Sequence, residues 1–86
     1  MSEEKILGGV VSLLENVLKL NGRSTHFSGE TPLLGHLPEM DSLGAVGVLA
    51  GLEEKFHITI EDDEIDGSTF QTINSLVQFV GSKINN

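Results

Sequence analysis

The chain contains no cysteine. That excludes a disulfide framework, a thiolate metal site and a cysteine nucleophile, and it fits a reducing compartment such as the cytoplasm. Basic residues are scarce: five Lys and Arg stand against thirteen Asp and Glu, a formal charge of −8. So acidic a surface repels phosphate backbones and anionic headgroups, so neither nucleic acid nor an anionic membrane is expected as a partner. A basic protein surface would be attracted; equally, the acids could serve only to keep a small domain soluble. Long hydrophobic runs are missing. The longest apolar-plus-glycine stretch, Leu43 to Leu52, is too short to span a bilayer. The start, Met1-Ser2-Glu3-Glu4-Lys5, lacks the basic region of a secretory signal. The 86 residues allow one domain, 1–86, and a domain of this size buries roughly 60–65% of its unfolded surface.

What is present is helical periodicity. A first helix is expected from about Glu3 to Leu20, with Ser2 as N-cap and Glu3 and Glu4 in the first turn. Ile6, Val10, Leu13, Leu14 and Val17 form its stripe. Gly8-Gly9 weakens it by about 1 kcal/mol per glycine, and Asn21-Gly22 is the expected stop. Residues 23–40, with Pro32, Pro38, Gly29 and Gly35, read as one long loop. Leu33, Leu34, Leu37 and Met40, with Phe27, are expected to anchor it on the core.

A second helix is expected from Ser42 to about Phe56, capped by Asp41. Ala45, Val48, Leu49, Leu52 and Phe56 share its core stripe, and Leu43, Val46, Gly47, Ala50, Gly51 and Glu54 its other side. His57-Ile58-Thr59-Ile60 has no evident partner strand and reads as an extended loop tucking Ile58 or Ile60 inward. Glu61 to Asp66 allows a short helical turn ending at Gly67. A last helix should begin near Thr72, burying Ile73, Leu76, Val77, Val80 and Ile84 behind Phe70. Helices this short are marginal alone. The expected architecture is an all-α, four-helix bundle: three main helices, one short helix and a long first loop.

Ser42 is the residue of most chemical interest. It opens a helix after a loop, close to the positive end of the helix dipole, where a covalently attached anion is favoured. It is a poor candidate nucleophile: no Gly-x-Ser-x-Gly elbow surrounds it, and His26, His36 and His57 have no evident orienting acid. An enzyme is therefore not expected. The histidines also lack metal-ligand spacing. Asp62-Asp63-Glu64-Ile65-Asp66-Gly67 starts like a calcium loop, but its twelfth place is Ile73 where a bidentate glutamate is needed, so no metal site is expected.

Asp41-Ser42-Leu43 opening a second helix resembles the acyl carrier protein family. The likeness extends to Thr31-Pro32-Leu33, to Leu52-Glu53-Glu54-Lys55-Phe56, to Ile58-Thr59-Ile60 followed by acids, and to a closing amphipathic helix. It implies phosphopantetheine on Ser42, joined as a phosphodiester, with an acyl group held on the arm as a thioester. It implies that Asp41 helps position the metal used by the loading phosphopantetheinyl transferase. Leu43 becomes a partner contact, and acyl-loading and acyl-accepting enzymes become the further partners. The chain departs from the family where Gly44 and Gly47 replace acids after the serine. Gly47, beside Val46, Ala50 and Glu54, is therefore expected to allow a close, less electrostatic partner contact. Thr-Pro-Leu-Leu-Gly-x-Leu-Pro-x-Met-Asp-Ser with a glycine-rich helix is similar to carriers associated with exosortase and exopolysaccharide loci. The alternative is an unmodified interaction module of the same fold, binding through the second helix. A monomer is expected in either case.

Overall fold

The computed structural model describes residues 2–33, 35 and 37–84. Three α-helices carry the fold: α1 (Glu3–Leu18), α2 (Ser42–Phe56) and α3 (Ile73–Ile84). Two single 3-10 turns, Arg23–His26 and Asp62–Glu64, interrupt the connections. This is the all-α bundle expected. No strand occurs among the described residues, where the one β-like feature is an isolated antiparallel bridge between Pro32 and Thr72.

Ser2 caps α1, its hydroxyl accepting from the Lys5 N–H at 3.3 Å. The helix ends at Leu18, short of the expected Leu20. Lys19 takes the left-handed conformation, φ 54°, and its N–H returns to the Glu15 carbonyl. Asn21 and Gly22 continue the positive-φ turn. The reversal swings Leu20 back into the core, where it is fully buried. The chain ends the helix early because the turn, not another helical residue, is what seats Leu20.

Ile6, Val10, Leu14 and Leu18 recur every fourth residue along α1 and meet Val48, Leu52 and Phe56 from α2 and Ile73, Leu76, Val77 and Val80 from α3. Full burial of such a side chain is worth about 1.5–3 kcal/mol. This cluster, not helix propensity, stabilises the bundle. α1 packs on both other helices, whereas α2 and α3 touch each other far less.

The first loop is anchored as expected by Leu33 and Met40, both buried, and by half-buried Leu37 and Phe27; Leu34 lies outside the described residues. Backbone pairing adds to this. Leu33 donates to the Gln71 carbonyl at 3.1 Å, Ile73 to Thr31 at 3.0 Å and Asn74 to Gly29 at 2.7 Å. The loop is thus sewn to the start of α3, whose cap is Thr72, accepting from the Ser75 N–H at 3.1 Å.

Candidate functional site

α2 begins at a junction fixed on both sides. The Asp41 carboxylate accepts from the Gly44 N–H at 2.8 Å, and its carbonyl accepts from Ala45 at 2.8 Å. Because Asp41 does the capping, the Ser42 hydroxyl has no such duty and stands exposed on the first helical residue. Met40, just before, is buried. Glu39 pairs with the Arg23 guanidinium, which also donates through Nε to the Leu20 carbonyl at 3.0 Å. That hydrogen bond from Arg23 holds the Glu39 carboxyl below its usual pKa. The segment entering α2 is therefore tied back to the turn after α1.

The same turn has an acid at its centre. Glu15 Oε1 accepts from the Ser24 hydroxyl at 2.7 Å and the Gly22 N–H at 3.0 Å, and these bonds lower its pKa. The sequence held no local sign of this, since the donors lie seven and nine residues downstream.

Of the residues expected to meet a partner, Leu43 and Val46 are the two large apolar side chains that stand out in solvent, 83% and 63% exposed. Ala50 and Glu54 are exposed on the same helix. Gly47 is placed differently. A Cβ there would meet Val17 Cγ1 at 3.1 Å. At Gly51 it would meet Leu13 Cδ1 at 2.6 Å, and at Gly44 the Glu39 carbonyl at 2.4 Å. The close approach that these glycines permit is to α1 and to the loop before α2. Gly47 is half-buried and approaches Val17 of α1, whereas the larger Leu43 and Val46 stand out in solvent.

Beyond Val46 along α2 lies a cavity of about 220 Å³, lined by Val46, Leu49, Ala50, Glu53, Ile60, Asp62 and Ile65. Leu49, placed in the core by its spacing, is half-buried because it forms this wall. Glu53 Oε2 accepts from the Ile60 N–H at 2.8 Å, which brings the extended segment against α2. The inward turn of Ile60 was legible in the sequence, but the cavity was not. Two of the acids that started like a calcium loop are engaged elsewhere: Glu64 with Lys83 on α3, and Asp66 with the Ser68 N–H and hydroxyl. Among the described residues, no three His, Asp or Glu are grouped to hold a metal ion.

Residues 9–80, from within α1 to within α3, match the family described as phosphopantetheine attachment site. The chain belongs to this family. A solved structure, the holo acyl carrier protein from Nitrosomonas europaea, is 40% identical and superimposes with a TM-score of 0.87, covering 93% of this chain and 96% of that one. No curated protein matches the chain. The protein is thus a carrier and not an enzyme, with phosphopantetheine as its prosthetic group. The exposed hydroxyl of Ser42, on a helix start whose first amides lack intrahelical partners, fits a bulky, anionic attachment. Within the described residues of the carrier, no helix is long and apolar enough to cross a membrane.

Proposed function

We propose that the protein carries an acyl group as a thioester on phosphopantetheine attached to Ser42 Oγ and presents it to successive partner enzymes. The observation that carries this reading is the exposed Ser42 hydroxyl, released from capping by Asp41 at the start of α2. The bound arm supplies a thiol for the thioester. The chain supplies the rest: an oxygen free to give up its proton and form the ester bond to phosphorus as the nucleotide part of coenzyme A leaves, and a helix terminus that favours the negative charge of the phosphodiester so formed. A tether raises the effective concentration of cargo at each partner without any new contact.

Asp41 assists loading by a cytoplasmic phosphopantetheinyl transferase, its carboxylate lying one residue from the acceptor. Leu43, Val46, Ala50 and Glu54 form the face that loading and accepting enzymes meet, which leaves the monomer's glycine stripe against α1. The cavity beyond Val46 shelters part of the acyl group. The loop motif before Ser42 and the glycine-rich α2 support a place among carriers of exopolysaccharide-associated biosynthesis.

The test is the mass of the intact protein after incubation with coenzyme A and a broad-specificity transferase. A gain of one phosphopantetheine that is lost in Ser42→Ala is expected. Absence of any gain, or a gain that survives the substitution, would overturn the reading in favour of an unmodified module binding through α2.

A further inference from the structure

The wall of the cavity opposite α2 is weakly self-supporting. It is built from Ile60, Asp62 and Ile65 around a 3-10 turn of only three residues, Asp62–Glu64. Runs this short make too few bonds of their own to hold a position. Residues 61–64 are all exposed, and Ile65 is only half-buried. Polar bonds from outside the turn must fix it. Glu64 makes one bond within the turn's own capping box and one to a distant element. Its Oε2 accepts from the Glu61 N–H at 2.7 Å, and its Oε1 accepts from Lys83 Nζ on α3 at 2.7 Å. The pair lies at the surface, with side-chain exposures of 31% for Glu64 and 19% for Lys83. It connects the cavity wall to α3, and α2 and α3 themselves make little contact.

We propose that the Glu64–Lys83 pair is a strap that sets the width of the cavity and thereby selects the length of apolar acyl chain the carrier protects. This rests on the acyl-carrier reading above. The volume is somewhat larger than an engineered cavity of about 150 Å³ that admits benzene, so the strapped form suits a short chain. Glu64 and Lys83 are positioning residues: they act through the wall and do not line the cavity.

Two measurements test the strap. In the unloaded protein, Glu64→Gln and Lys83→Met should each speed amide hydrogen exchange at residues 60–65 by about tenfold, while α1 amides keep their protection. Lys83→Arg should restore the original rates. In protein loaded at Ser42, hydroxylamine cleavage is followed for acetyl, hexanoyl and dodecanoyl thioesters. The strapped protein should protect hexanoyl best; in Glu64→Gln that optimum should move toward dodecanoyl. General destabilisation would weaken protection at every length and would not move the optimum. Unchanged exchange overturns the strap, whatever the state of loading. Faster exchange with an unmoved optimum overturns its role in selecting cargo. Failure of the protein to load at all removes the carrier reading, and the selection with it.

Discussion

At the residue scale the glycines divide by what surrounds them. Gly8 lies exposed within α1, and a Cβ there would meet nothing within 4 Å. Gly8→Ala should therefore raise stability by about 1 kcal/mol through helix propensity alone, which corresponds to roughly 4–8 °C in Tm for a domain of this size. Gly44→Ala carries the same propensity gain but should lower Tm, because its Cβ would press on the Glu39 carbonyl at 2.4 Å. A backbone oxygen cannot rotate away as a side chain can, and overpacking typically costs about 1–3 kcal/mol. Glu39 lies three residues before Ser42, so the displacement should also slow loading at the serine. Thermal melts of the two variants check the opposite signs. Gly44→Ala melting as high as Gly8→Ala would show that the entry to α2 is free to shift.

At the scale of the element, the turn after α1 depends on a single acid. The bonds from Ser24 and Gly22 lower the pKa of Glu15 from 4.5. A carboxylate whose folded pKa is depressed adds stability that is complete above its unfolded pKa and is lost as pH falls through the folded one. Glu15→Gln should therefore melt lower than the parent at pH 7, and the gap should close as pH falls below the ordinary carboxylate range and through the depressed pKa. The difference between the two proteins is the quantity to follow, because protonating the other acids also relieves self-repulsion in a chain of charge −8. A gap independent of pH would mean that the acid does not hold the turn. This element also marks where sequence reading stops. Both ends of α2 were legible, since Asp41 is a local cap and Val48, Leu52 and Phe56 keep a helical period. The 3-10 turn at Arg23–His26 was not, because its stabilising bonds come from a side chain in the last turn of α1, seven and nine residues before the donors. Pro32 and Thr72 pair across some forty residues, beyond any local signal. Periodicity identified Val48, Leu52 and Phe56 as the buried stripe of α2, but it grouped Gly47 and Gly51 with Leu43 and Val46. It did not say that the glycines face α1 while Leu43 and Val46 face water, because both faces are apolar. The start of α2 at Ser42 was legible because its cap is local, whereas the cavity needs a distant segment to close it.

For the whole molecule, charge and contact are separated in space, and the separation has a kinetic consequence. The first ten residues of α2 after Ser42 carry no charge, and the first acid is Glu53. At 1.5 Å per residue that places it about 16 Å from the serine, beyond a Debye length of about 10 Å at 0.1 M salt. The net charge of −8 can still steer a basic partner from a distance. Next to Ser42, however, the docking face proposed above presents exposed Leu43 and Val46, and its one acid, Glu54, lies at the far end of α2. Steering appears in the association rate and is screened by salt, whereas apolar contact appears mainly in dissociation. Raising salt from 0.05 to 0.5 M should therefore slow association of transferase and carrier while leaving the dissociation rate nearly fixed. Leu43→Ala should speed dissociation by roughly tenfold or more, as loss of a buried anchor does, and by the same factor at both salt concentrations. Surface-coupled kinetics with the Ser42→Ala carrier measures this without turnover. A factor that shrinks at high salt would mean that the contact at Leu43 is coupled to charge, and the apolar and acidic parts of the docking face would then act together.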